Sequence, residues 1–149
     1  MSAADRFAIE DLFAVFHWAL DTGDVEGFAD CFVDGGRMRL QSQRGELRYR
    51  GRDELIAMAE TLRAWDRFPG CQHFAGQLLI ELDDDGQAGR ARSFCLVAES
   101  RGEAPYALRF AGRSDDRLRR RNGRWLFEER QVRLWQGESM VNHLLLVDD

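Results

Sequence analysis

Proline and cysteine are both scarce in this 149-residue chain, at two and three residues. The cysteines Cys31, Cys71 and Cys95 are odd in number and far apart, with no CxxC pair. That spacing excludes a disulfide framework and a zinc ribbon, and predicts buried thiols in a reducing, cytoplasmic compartment. The three histidines, His17, His73 and His143, form no HxH or HExxH pattern, so no metal site is expected. There is no GxGxxG after a strand, no phosphate loop with its lysine and no GxSxG elbow, so no cofactor is expected either. No run approaches the roughly 18 apolar residues that span a bilayer, and the N-terminus lacks the basic-then-apolar order of a signal peptide. A net charge of −5 gives no general attraction to nucleic acid or an anionic membrane. Six arginines fall between Arg113 and Arg124, but Asp115 and Asp116 interrupt them and alternation puts most on one solvated strand face.

What is present is ordinary globular material, 44% hydrophobic and 32% charged, long enough for one domain over residues 1–149 with its own core. Ser2 to Asp5 has the pattern of a capped helix start. Ile9, Leu12, Phe13, Phe16 and Leu20 then repeat at helical spacing and predict a first helix ending near Leu20, with Asp21 on the shoulder of its apolar stripe. Asp24 caps a second helix, Val25 to Phe32, which Gly35-Gly36 stops. Arg37 to Gln41 and Glu46 to Arg50 alternate as a hairpin turning at Arg44-Gly45. Gly51 to Asp53 opens a third helix, closed by Trp65, Phe68 and Pro69-Gly70. Four long strands follow: His73 to Asp83, Ala88 to Glu99, Tyr106 to Arg120, and Arg124 to Trp135, the last pair joined by an Asn122-Gly123 turn. Met140 to Val147 adds an edge strand or covers the sheet. Helices first and an antiparallel meander after predict an α+β fold, the helices on one face of a curved sheet around a conical cavity.

Two residues in this frame carry proton-transfer chemistry. Asp21 ends the first helix, where position alone favours a solvated carboxylate; His73 opens the first long strand, where a half-exposed histidine fits equally well. Strand parity is awkward around His73. Ala75, Gln77 and Leu79 share its face, whereas Phe74, Leu78, Ile80 and Leu82 make the other face more apolar. One arrangement turns Phe74, Leu78 and Ile80 toward a subunit partner and leaves His73 and Gln77 at a polar cavity mouth. On the third long strand Tyr106, Leu108, Phe110, Gly112 and Ser114 share a face that suits a cavity wall ending in a hydroxyl. The second strand, with Phe94 on one parity and Cys95 on the other, leaves the inner face open. On the last, Trp125, Phe127 and Trp135 share a parity with Glu129.

Several ordered segments resemble the SnoaL-like members of the NTF2-like superfamily. They are Ile9 to Leu12 with Leu20 to Asp24, Asp30 to Gly35, Tyr49 to Leu55, His73, and Gly112 to Leu118 followed by Arg120, Gly123, Trp125 and Arg130. The resemblance implies an NTF2-like (cystatin-like) cone, with N-terminal helices packed on a strongly curved, mostly antiparallel sheet enclosing a cavity. It also implies a homodimer or homotrimer through the sheet, and a catalytic dyad at the matching positions Asp21 and His73. Phe16, His17, Gln77, Phe94, Phe110, Ser114 and Trp135 would bind the substrate. Departures are specific: Gln77 stands where many relatives have Asn and Ser114 where many have Tyr, while Phe16 and His17 replace the Lys of the dehydrohalogenases. The expected function is a cofactor-independent lyase, dehydratase or isomerase acting on an apolar or aromatic small molecule. The alternative is a non-catalytic ligand-binding protein or the accessory β subunit of a ring-hydroxylating dioxygenase.

Overall fold

The computed structural model describes residues 1–42, 45–65, 70–100, 102 and 106–134. Three helices, α1 (Ala3–Thr22), α2 (Val25–Ala29) and α3 (Gly51–Arg63), pack on six strands: β1 (Phe32–Ser42), β2 (Gly45–Arg50), β3 (Cys71–Leu82), β4 (Ala88–Glu99), β5 (Ala107–Arg121) and β6 (Arg124–Leu134). The α+β class therefore holds. Arg44, Phe68, Pro69, Trp135 and the tail from Met140 to Val147 lie outside the described residues.

Local chemistry explains α1. Ser2 accepts the Asp5 N–H at 3.1 Å, as a helix N-cap does. At the other end Gly23 adopts φ +77°, and the N–H groups of Gly23 and Asp24 close on the carbonyls of Leu20 and Ala19. Asp21 is thereby held in the last turn. The buried stripe, Ile9, Leu12, Phe13, Phe16 and Leu20, meets Phe28, Phe32, Leu55, Met58, Leu118 and Phe127 in one core. Phe16 has ring neighbours in Phe28, Phe32 and Phe127, with centroids 4.9–6.0 Å away.

The second helix is shorter than the sequence predicts. It ends at Ala29, and Phe32 opens β1 instead, because Phe32 pairs in parallel with Phe127 and the Cys31 carbonyl accepts the Phe127 N–H at 2.8 Å. Gly35-Gly36 accordingly falls inside β1, where the register against β6 shifts. The β1–β2 hairpin and the antiparallel run of β3, β4, β5 and β6 match expectation, while the parallel β1–β6 contact joins them in the order β2-β1-β6-β5-β4-β3.

The expected strongly curved sheet enclosing a cavity is a correction. The sheet is open, since β2 and β3 are each hydrogen-bonded on one side only. Phe13, Phe16, Phe28, Phe32 and Phe127 pack into the core beside β1 and β6, and an open cleft lies between α1 and β3.

A bulge resolves the parity conflict on β3. Gly76 pairs with Phe94 but Leu79 pairs with Arg92, so β3 carries one residue more than β4 across this interval. Gln77 sits there with φ +50°. The extra residue flips the alternation, so His73 before it and Leu78, Ile80 and Leu82 after it face the same, inner side. Leu78 and Ile80 pack against the core rather than toward a partner; Phe74 and Leu79 are the exposed ones. A similar shift between Arg117 and Leu118, opposite Glu129 and Phe127, turns both Phe127 and Arg130 inward.

Candidate functional site

The cleft between α1 and β3 has a volume of about 750 Å³. From α1, Phe13, His17, Trp18 and Asp21 line it at helical spacing; from β3 come Cys71, His73 and Leu78, with Tyr106 at the rim. Apolar and aromatic side chains make up most of its surface, and Glu10, Thr22, Gln72 and Ser100 add polar groups beside His17, Asp21 and His73, a mixture that suits a small-molecule site.

Asp21 and His73, 52 residues apart, meet at its wall. Asp21 grips His73 twice: Oδ2 accepts the backbone N–H at 2.8 Å, and Oδ1 accepts Nδ1–H at 2.5 Å. The backbone contact fixes where β3 begins relative to α1, and the ring contact selects the tautomer. With the proton on Nδ1, the Nε2 lone pair remains for a ligand. Both side chains are about one-fifth exposed, screened from bulk water yet reachable from the cleft. Such a pair can withdraw a proton at Nε2 while the carboxylate balances the imidazolium that forms.

His17, one turn before Asp21, also lines the cleft, its ring nearly parallel to that of His73 (22°, centroids 6.2 Å apart). Burial, and next the charge of Arg130, push its pKa down to about 3. The remaining expected binding residues are placed elsewhere. Phe16 is in the aromatic core behind the wall. The Gln77 side chain is exposed at the bulge, and Phe94 is 42% exposed on the outer face of the sheet. Phe110 is half-buried on β5, outside the described cleft lining. Ser114 is wholly buried, sharing hydrogen bonds with Ser93 (2.9 Å) and Asp116 (2.8 Å).

Sequence reasoning passed over Asp116 and Arg130 as chemistry. Asp116 hides in the arginine-rich run, although its parity with Gly112, Ser114 and Leu118 was a usable signal. Burial raises its pKa to about 6. Three arginines of the run are paired, Arg113 with Asp115 inside it, Arg119 with Glu128 of β6 and Arg120 with Asp5 of α1. Gly112 is a point of close backbone approach: a Cβ there would lie 2.3 Å from the Arg133 carbonyl. Burial lifts the thiols of Cys31 and Cys95 to about 11, which makes them inert. Among the described residues no cluster of metal-binding side chains occurs, and no helix is long and apolar enough to cross a membrane.

Solved structures share this architecture over most of the chain. A protein of unknown function from Mycobacterium tuberculosis is 27% identical, with a TM-score of 0.79, covering 93% of this chain and 80% of that one. An NTF2-like protein with a cystatin-like fold from Novosphingobium aromaticivorans is 23% identical, with a TM-score of 0.80 and coverage of 95% and 89%. A protein from the same organism, described as a candidate scytalone dehydratase, is 22% identical, with a TM-score of 0.75 and coverage of 89% and 85%. No curated protein matches the sequence. The SnoaL-like domain model matches residues 1–131, nearly the whole described chain, and the chain belongs to the SnoaL-like family.

Proposed function

We propose that the protein is a cofactor-independent lyase, dehydratase or isomerase that uses Asp21 and His73 as an acid–base dyad on an apolar or aromatic small molecule. The observation that carries this reading is the double grip of Asp21 on His73 within an apolar cleft. A hydrogen on carbon next to a carbonyl is acidified by that carbonyl. His73 Nε2 takes this proton, the C–H electron pair moves into a new double bond, and Asp21 stabilises the imidazolium. In a dehydration the C–O bond at the β carbon then breaks, and His73 returns the proton to the departing hydroxyl as water. In an isomerisation the same proton returns to a different carbon. Either way His73 ends as it began. The chain contains no lysine, so a Schiff-base route through a lysine side chain is closed.

The aromatic lining from Phe13, Trp18 and Tyr106, with His17, supports a flat, apolar substrate. A candidate scytalone dehydratase with this fold supports a dehydration in particular. The test is turnover of a panel of β-hydroxy aromatic ketones. His73→Ala is expected to lower kcat/KM by roughly 10²–10⁴ with ligand binding kept, and Asp21→Asn, which presents the wrong hydrogen-bonding partner to Nδ1, by a similar factor. Turnover surviving in His73→Ala contradicts the mechanism.

A second reading, a ligand carrier or an accessory oxygenase subunit, draws on the outer sheet face, where Phe74, Leu79, Phe94 and Leu96 are exposed together and Phe74 lies opposite Leu96. We read that face as the contact of a homodimer or homotrimer; co-purification with a larger, iron-containing subunit instead would favour the second reading. The three cysteines form no disulfide, which suits a single cytoplasmic domain spanning the whole chain.

A further inference from the structure

Both nitrogens of His17 are engaged by groups that leave no choice of tautomer. Nδ1 lies 2.8 Å from the Phe13 carbonyl, which only accepts, so Nδ1 carries a proton. Nε2 lies 3.5 Å from Nη2 of Arg130, which only donates, so Nε2 presents its lone pair. Two partners on different elements thus demand the same neutral ring.

Arg130 has little freedom to do otherwise. It is 1% exposed, its guanidinium carbon lies 4.4–4.9 Å from the ring centroids of Phe13, Phe16 and Phe127, and Nη1 is 3.5 Å from Oδ2 of Asp116. Asp116 is oriented in turn by the Ser114 hydroxyl. The dyad chemistry uses none of these groups, yet they run from the interior of the sheet to the ring stacked on His73.

We propose that the buried Asp116–Arg130–His17 line makes Arg130 a positioning residue, which fixes His17 as a neutral Nδ1–H imidazole so that His73 is the one ring of the cleft pair that cycles a proton. The proposal rests on the dyad reading above. A protonated His17 would meet the Arg130 guanidinium on one side and, across the stack, the imidazolium formed on His73 during turnover. A neutral ring removes both repulsions. The charged or titratable groups around it are Arg130 from β6, with Asp116 of β5 behind it, Cys71 and His73 from β3, Glu10 and Asp21 from α1, and Tyr106 at the rim. Burial and the Arg130 charge both act against protonation of His17.

The test is long-range proton–nitrogen NMR of the histidine rings in the ¹⁵N-labelled full chain between pH 4.5 and 8.5, with assignments from His17→Gln, His73→Ala and His143→Gln. In the wild type His17 is expected to stay in the neutral Nδ1–H form throughout. Arg130→Met is expected to bring its midpoint up into this pH range, or to mix its tautomers, and Arg130→Lys, which keeps the charge and a donor, to restore the wild-type signature. A wild-type His17 that titrates between pH 5 and 8, or holds its proton on Nε2, overturns the proposal without any variant having to fold. A His17 signature unchanged in folded Arg130→Met also overturns it. Failure of the dyad reading shows separately, as turnover retained in His73→Ala.

Discussion

At the scale of single residues, Asp21 sets both the position and the tautomer of His73, because its two oxygens bind two different groups of that residue. The sequence offered the carboxylate and the imidazole as separate possibilities; only the resemblance paired them, because no spacing rule connects residues 52 apart. The ion pair behind them was hidden for another reason. A buried aspartate and arginine look, in sequence, like any others in a charged strand. Their burial makes a thermodynamic prediction. His17 has a lowered folded-state pKa, so its contribution to stability is intact above about pH 6.5 and is lost as pH falls toward 3. Asp116 has a raised one, so its contribution is full below pH 3.8 and is lost as pH rises through about 6. Between pH 4 and 6 the two slopes oppose each other. His17→Gln removes only the first, so relative to this variant the wild type should lose about 1.4 kcal/mol per pH unit as pH falls from 6.5 to 4. Denaturant unfolding at a series of pH values measures this, and parallel stability curves for the two proteins would show that His17 titrates normally.

At the scale of elements, the helices, the hairpin and the four long strands were legible, since caps, glycines and alternation are local signals. Bulges were not. The alternation of β3 is broken by one residue at Gln77, and that of β6 before Glu129, so a strict period of two assigns the wrong face beyond each break. The break explains why Gln77, expected at the site, is found on exposed surface, whereas Phe94 sits on a regularly alternating stretch of β4 whose inner face the sequence left open. Adjacent leucines test the bulge. Leu78→Ala should cost about 2 kcal/mol because Leu78 packs on the core, and Leu79→Ala less than about 0.5 because Leu79 is solvent-exposed. Strict alternation from His73 predicts the reverse order, and thermal or urea unfolding of the two variants separates the possibilities. The end of the second helix failed for a tertiary reason: pairing with Phe127 draws Phe32 into β1 despite the helical spacing of Phe28 and Phe32.

At the scale of the whole molecule, the order of helices and strands made the α+β class readable, but not the shape of the sheet. Closure depends on stagger between strands and on how much of the inner face the aromatic core fills, and neither is written in alternation. The open sheet leaves Phe74, Leu79, Phe94 and Leu96 on its outer face. If that face joins copies of the chain, light scattering will give a mass two or three times that of the subunit, and Phe94→Arg will shift it toward the monomer; an unchanged wild-type monomer would remove the oligomer from the account. The central claim concerns the cleft, namely that His73 moves a proton to and from carbon. Solvent-deuterium exchange in D₂O, followed by NMR on a β-hydroxy aromatic ketone that binds, reads that step even where the full reaction is incomplete. Wild-type protein should wash deuterium into the position next to the carbonyl, and His73→Ala should still bind the compound while exchange falls to the uncatalysed rate; exchange at the wild-type rate in that variant would contradict the account.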